Sequence, residues 1–295
     1  MTFTYHTPSS VGEALELLGS LGSGTQILAG GTDVMVQYLR GQIAPEHVIF
    51  IGDLDDELRG VSADGTIRIG ALTPHRDLAT NPVLRREMPG LVDAAAQVGG
   101  WQTQNVGTIG GNICNASPAA DLPPTLLVAD ATVTLHDRKG ERTLPLADFF
   151  LGRRATQRRP DELLTSVQVP RAADATGEVY LKVGRRRAME IAIVGMAMRL
   201  TFDERLETVL DARIAICAAA PRPFRAAEAE RRLVGTRLDT WTLAEAGRLA
   251  AAASSPIDDI RASAAYRSQV IASLVARAAA ACRRRAAGEN EENAS

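Results

Sequence analysis

Two glycine-bearing stretches carry the residue types best suited to holding an anion. "AGGTD" spans Ala29–Asp33 and "TIGGN" spans Thr108–Asn112. Paired glycines reach left-handed backbone conformations and let a ligand approach without meeting Cβ atoms. Successive amides can then converge on an anion, and a following helix N-terminus adds a favourable partial charge. Thr32 and Thr108 each offer a hydroxyl donor. Neither stretch has the spacing of a lysine-bearing P-loop or of a GxGxxG dinucleotide fingerprint. Taken singly, each pair reads equally as a tight turn or a close packing point. Together, at two strand ends and each beside a threonine, they fit a pyrophosphate, which offers oxygens to two loops at once.

The second pair lies within "NVGTIGGNICNASPAADLPP", Asn105–Pro124, a run of glycines, small polar residues and prolines. Its single carboxylate, Asp121, reads either as the cap of a short helix or as an acceptor for a ligand. Ser117-Pro118 reads as a helix start. Cys114 reads as a small buried thiol, since no neighbouring His or Lys would activate it. Trp101 and Gln102–Gln104 stand just before the loop and are positioned to order it. Lys182, in a strand-like segment, reads either as surface or as a cation beside a ligand. His6, His47, His75 and His136 stand apart without metal-ligand spacing, which gives each a surface or satisfied polar role. The three cysteines, Cys114, Cys217 and Cys282, form no CxxC pair. That argues against a disulfide framework and against a zinc or iron–sulfur site built within this chain, so any redox metal would sit on a partner.

The elements that must position these residues follow from periodicity. Ser10 and Glu13 form a capping box ahead of Val11, Ala14, Leu15 and Leu18 at helical spacing. A strand is expected over Gln26–Ala29, ending in the first glycine turn, with a helix from Thr32. "HVIFIG" and "TIRIGAL" read as strands, and Thr73 as the cap of a helix with Pro74 at its first position. "MPGLVDAAAQVG" is a helix, and strands return at Thr132–Leu135 and Leu163–Val169. "PRAADATGE" reads as a linker. Beyond it the pattern changes to three successive strands, "EVYLKVG", "IAIVGMAMRLTF" and "LDARIAICAAA". Helices are expected over Ala226–Leu233, Thr242–Ala253 and Ser263–Arg285, and the end has the composition of a disordered tail.

With 295 residues, 45% hydrophobic and 23% charged, the chain has ordinary globular composition and room for two domains. A formal net charge of −2 removes the broad basic footprint of a nucleic-acid binder. The local arginine clusters at Arg153–Arg154, Arg158–Arg159, Arg185–Arg187 and Arg283–Arg285 read as solvated surface. No basic-then-apolar leader and no membrane-length apolar run is evident, so the expected location is the cytoplasm.

Four segments occurring in order, "LAGGTDV", "NVGTIGGNICNASPAADLPP", "DELLTSVQVP" and "LKVGRRRAMEIA", make the chain resemble the FAD-binding medium subunit of the molybdenum hydroxylases. That group includes the carbon monoxide dehydrogenase flavoprotein subunit and the FAD domain of xanthine dehydrogenase. The resemblance runs from "FTYHTPSS" to the C-terminal helices. It implies an α+β protein: an FAD-binding fold of the p-cresol methylhydroxylase (PCMH) type over 1–172, in two α/β subdomains at about 1–55 and 56–172. A smaller domain over 177–286, a three-stranded antiparallel sheet plus a helical bundle, would follow, with a disordered tail at 287–295.

Carried over residue by residue, Ile27, Leu28, Ala29, Gly30, Gly31, Thr32, Asp33 and Val34 would form the first pyrophosphate loop. Thr108, Ile109, Gly110, Gly111 and Asn112 would form the second. The resemblance also implies that Asp121 accepts from FAD hydroxyls, that Leu164 makes an apolar contact near the flavin, and that Lys182 lies near the isoalloxazine. Val98 falls where xanthine dehydrogenase has an aromatic residue over the ring. The cysteine-rich insert of the branch resembling 4-hydroxybenzoyl-CoA reductase has no counterpart here.

The implied function is electron transfer through non-covalent FAD. A large molybdopterin subunit would oxidise the substrate, and a small subunit with 2Fe-2S clusters would relay electrons to this chain. NAD, oxygen, a quinone or a carrier protein would then accept them, within a dimer of heterotrimers. Two other readings are a stand-alone FAD oxidoreductase of the same fold and a scaffold subunit whose flavin site has decayed.

Overall fold

A computed structural model describes residues 2–186 and 188–289. Arg187 and Asn290–Ser295 lie outside the described residues, and with them one arginine of a cluster and most of the expected tail. Residues 287–289 are hydrogen-bonded to the last helical turn: the N–H groups of Ala287, Gly288 and Glu289 reach carbonyls of Arg283, Arg284 and Arg285.

The first fifty residues build a three-stranded parallel sheet in the order Thr4–His6, His47–Phe50, Thr25–Leu28. Helix Val11–Leu21 buries Val11, Ala14, Leu15 and Leu18, its i, i+3, i+4, i+7 stripe. Ser10 caps it, accepting from the Glu13 N–H at 3.2 Å. The carboxylate of Glu13 reaches back to the N–H and hydroxyl of Ser9 instead of Ser10, so the reciprocal half of the capping box is displaced by one residue. The strand before the first glycine pair ends at Leu28, and the following helix is Val34–Leu39, two residues later than expected. The intervening residues are the glycine turn itself.

The next sheet has five antiparallel strands in the order Val61–Ser62, Thr66–Gly70, Leu163–Pro170, Thr132–Asp137, Gly140–Pro145. Its inward residues Ile67, Ile69, Val133, Leu135, Val167 and Val169 pack against Leu91, Ala94, Ile113 and Leu126 from helices. Each such fully buried aliphatic side chain contributes roughly 1.5–3 kcal/mol relative to exposure. Pro74 stands before helix His75–Thr80, not within it, and Thr73 does not cap that helix. The Thr73 hydroxyl is drawn instead to the backbone of Gly60, bonding its N–H at 3.0 Å and its carbonyl at 3.2 Å.

The Asn105–Pro124 stretch is more helical than its composition suggests. It contributes to three short helices, Trp101–Val106, Ile109–Asn115 and Leu122–Val128. Ser117-Pro118 starts no helix: the Ser117 hydroxyl accepts from the Ala119 N–H at 3.3 Å in a turn. Left-handed Ala116 (φ 43°) ends the preceding helix there.

The C-terminal sheet is antiparallel with four strands, Thr176–Val183, Val194–Phe202, Val209–Cys217 and Phe224–Arg225. The fourth corrects the expected three. It pairs Phe224 with Ile216 and Arg225 with Ala215, and two residues are too short to show a strand period. Helices Ala227–Leu233, Thr240–Ala252 and Ala264–Ala286 cover one face, over Val179, Met196, Met198, Ile214 and Ile216. The alternate residues Tyr180, Ala197 and Ala215 join the core of the five-stranded sheet and its helices. Period-two alternation thus aims Glu178, Tyr180 and Lys182 at the N-terminal half of the chain.

Candidate functional site

A cleft of about 600 Å³ opens where the strand Thr25–Leu28 gives way to the first glycine turn. Ile27, Ala29, Gly30, Gly31, Thr32, Asp33 and Val34 line it from one stretch; Thr108, Gly110, Gly111 and Asn112 line it from the other. Asp121 and Leu164 also reach it. Leu28 and Ile109 are buried and do not line the cleft, and Lys182 stands one contact behind it.

The two stretches touch. A Cβ on Gly30 would lie 1.7 Å from the Val106 carbonyl oxygen, so only glycine lets the first turn rest on the backbone leading into the second motif. Gly31 adopts φ 71°, a left-handed conformation that glycine takes without a side-chain penalty. Among the described residues, nothing partners the N–H groups of Gly30, Gly31, Thr32 or Asp33.

The second motif behaves differently, because its amides are already used. The Ile109 N–H bonds Thr73 O at 3.1 Å and the Gly110 N–H bonds Ala71 O at 2.9 Å. The Gly111 N–H bonds the capping hydroxyl of Thr108 at 3.1 Å. Ala71 is itself tied to the central strand through Thr165 O at 3.0 Å. A Cβ on Gly110 would lie 2.8 Å from Ala71, whereas one on Gly111 would meet only the Thr108 hydroxyl, at 3.1 Å. What this motif offers the cleft is side chain and open space. Among the described residues the buried Oδ1 of Asn112 has no partner, which leaves an acceptor in the cleft lining.

One end of the cleft is polar. Asn115 accepts from Gln37 at 3.2 Å, and Gln37 accepts from Arg154 at 2.9 Å. Burial raises the carboxyl of Asp33, against the pull of Arg154 and a hydrogen bond with Asn115. Arg158, which also lines the cleft, donates to the carbonyl of Glu162 at 2.7 Å. Sequence reading placed Arg154 and Arg158 on solvated surface. Only the fold brings them to the site, and no local signal marks them. The Cys114 thiol faces the cleft and is half-buried; desolvation outweighs Arg158 and pushes its pKa up to about 11, leaving it protonated.

Asp121 is buried at the start of helix Leu122–Val128 yet makes no capping bond. Its Oδ1 accepts from the Tyr180 hydroxyl at 2.6 Å and its Oδ2 from Lys182 Nζ at 2.9 Å. Lys182 also donates to Gln97 O at 2.9 Å. Burial raises the Asp121 pKa while the Lys182 charge lowers it. Burial, then the Asp121 charge, holds the Tyr180 phenol well above its ordinary value, so Tyr180 serves as a donor. Each carboxylate oxygen keeps a further lone pair for a ligand in the cleft. Tyr180 escaped sequence reading, because its partner lies 59 residues away.

Val98 lines the cleft, and among the described residues no Phe, Tyr or Trp does. Gln104 holds the Val98 turn by donating to Ala96 O at 2.9 Å and Val98 O at 3.1 Å. Trp101 opens the helix before the loop, is exposed, and carries the Arg76 guanidinium 5.0 Å over its ring. His75 departs from its expected role: it is 3% exposed, lines the cleft, and among the described residues its Nδ1 has no partner. Burial lowers its pKa to about 4.

Residues 1–172 match the FAD binding domain in molybdopterin dehydrogenase, and residues 179–282 match the CO dehydrogenase flavoprotein C-terminal domain. The carbon monoxide dehydrogenase medium chain of Hydrogenophaga pseudoflava is 35% identical over 277 residues, covering 94% of this chain and 95% of the relative. A putative xanthine dehydrogenase FAD-binding subunit of Escherichia coli is 31% identical, covering 92% of each. Among solved structures, carbon monoxide dehydrogenase from H. pseudoflava lacking the Mo-pyranopterin moiety of the molybdenum cofactor superposes with a TM-score of 0.92. Identity there is 35%, with 96% of this chain and 97% of that one covered.

Proposed function

The chain belongs to the family of FAD-binding subunits of molybdopterin dehydrogenases, and we propose that its cleft binds FAD non-covalently to carry electrons between a partner subunit and an external acceptor. The observation carrying this reading is the row of unpartnered amides at Gly30–Asp33 on the same cleft as the Thr108 helix and the Asp121 acceptor. Free amides suit a diphosphate, and a doubly supported carboxylate suits a polyol. When bound, FAD supplies an isoalloxazine ring able to take up and release electrons.

The chain's own residues do the rest. Gly30 and Gly31 bare the amides. Asp33, Gln37, Asn115 and Arg154 offer a mixed donor and acceptor set suited to ribose hydroxyls and an adenine edge. Asp121 accepts from ribityl hydroxyls while Tyr180 and Lys182 hold it in place. Lys182 keeps a positive charge one hydrogen bond behind the cleft, where it stabilises added negative charge. Leu164 and Val98 give apolar walls.

In this reading residues 1–172 form the PCMH-type domain, with subdomains at about 1–55 and 56–172, and residues 177–286 the smaller domain. The two matched profiles and the change of sheet after Pro170 support that division. The molybdopterin would sit on a large partner subunit and 2Fe-2S clusters on a small one, within a dimer of heterotrimers in the cytoplasm. Relatives named as a medium chain and as an FAD-binding subunit support the division of labour.

Acid precipitation of the purified full chain should release flavin with an FAD spectrum. A folded sample that releases none and takes up none on reconstitution would overturn the reading.

A further inference from the structure

Among the described residues His75 is the one buried histidine lining the cleft, and its surroundings fix how it can act. The ring is 3% exposed and lines the cleft. Its Nδ1 is enclosed without a partner among the described residues. Its Cδ2–Nε2 edge lies against Gly107, 3.1 and 3.2 Å from where a Cβ on that glycine would stand. The backbone agrees: the His75 N–H bonds Gly107 O at 2.9 Å. Gly107 is also where the first turn rests, since a Cβ on Gly30 would come 3.0 Å from the Gly107 nitrogen. The imidazole therefore stands beside Gly107, where the two glycine stretches cross, and lines the same cleft as Gly30 and Gly31.

A buried N–H without an acceptor is rarer in folded proteins than a buried lone pair without a donor. With Nδ1 enclosed and unpartnered among the described residues, the tautomer that avoids burying an N–H without an acceptor carries its proton on Nε2, the atom beside Gly107. Charging the ring would bury an unpaired N–H at Nδ1, so the imidazole stays neutral. We propose that His75 is a third anchor of the bound dinucleotide, giving its diphosphate an uncharged Nε2–H donor where the two glycine stretches cross. This rests on the FAD reading above and adds to it a residue lying in neither glycine motif. The anchor adds a directed hydrogen bond without placing a cation beside the diphosphate, so it discriminates by geometry more than by charge.

The test uses the full chain, stripped of flavin and titrated with FAD and, separately, with riboflavin, which lacks the diphosphate. His75→Phe should weaken FAD binding about tenfold, the scale of one hydrogen bond to a charged group. His75→Gln, whose amide nitrogen falls near the Nε2 position, should stay within about threefold of the parent. Riboflavin affinity should be the same in all three. Unchanged FAD affinity in His75→Phe, or equal losses for FAD and riboflavin, overturns the proposal.

Should His75→Phe fail to fold, ¹⁵N resonances of the parent's histidines decide the matter. A neutral ring protonated at Nε2, with a shift on adding FAD, supports the anchor; protonation at Nδ1, or no response to FAD, overturns it. A parent protein that binds no FAD overturns the cofactor reading itself, and the anchor with it, whereas the variant comparison sinks the anchor alone.

Discussion

Gly30-Gly31 and Gly110-Gly111 are the same dipeptide lining the same cleft, and they solve different problems. The first pair is a turn after a strand. Its glycines allow a left-handed φ and a contact with the Val106 carbonyl that no side chain could survive, and its amides are left open. The second pair is inside the helix Ile109–Asn115, where Gly110 fits the helix against Ala71 and the two glycine amides are consumed by Ala71 and Thr108. A glycine pair in a sequence therefore signals close approach, but not what approaches. At Gly30 and Gly110 it is the protein's own backbone or packing; at Gly111 it is the space of the cleft.

The largest effect expected from pressing on this difference is at Gly30. Gly30→Ala should cost about 3 kcal/mol or more in thermal or denaturant unfolding, because the new methyl meets a backbone oxygen that cannot move aside. Flavin content should fall to near zero with it. A stable, yellow variant would show that the two stretches do not need their contact.

Next comes the histidine at their crossing. Its pKa falls from 6.5 unfolded to about 4 folded, so between those values the unfolded chain binds the extra proton. The stability it contributes is complete above 6.5 and drains away as the pH falls through 4, by about 3 kcal/mol in all. Subtracting the unfolding profile of His75→Gln from that of the parent, both without flavin, should isolate this slope. A flat difference between pH 7 and 4 would mean that the ring is solvated.

The finest cut separates neighbours. Gly110→Ala should lose about 2 kcal/mol of stability through its clash with Ala71. Gly111→Asp should leave stability nearly untouched, since a carboxylate in a helix's first turn is favourable, while weakening FAD by about 2 kcal/mol through charge beside the diphosphate. Measuring unfolding and flavin titration on both variants checks the split, and equal effects on both readouts would erase it.

Much of the cleft was legible from the chain. Thirteen of the sixteen residues singled out do line it, because a turn after a strand and a short helix keep neighbouring residues on one surface. What stayed hidden was everything decided by distant contacts. Thr73 could not be seen to abandon its helix for Gly60, nor Ser117 to spend its hydroxyl on a turn. Arg154 and Arg158 looked like any charged pair until the fold carried them to the cleft. Lys182 was found through the family pattern. That Tyr180 points the same way follows from strand alternation, but that both reach Asp121 required the packing of one sheet on another part of the chain.

That packing has a further consequence. Asp121 belongs to the N-terminal half, while both of its donors come from the strand Thr176–Val183. A ligand that donates to this carboxylate's remaining lone pairs is thereby linked, through Tyr180 and Lys182, to that sheet. Occupancy of the cleft should therefore slow amide exchange along Thr176–Val183 as well as at the glycine turns, and Tyr180→Phe should uncouple the two. The carboxylate would then act as a latch between two folding units, with the cofactor as the hand that sets it.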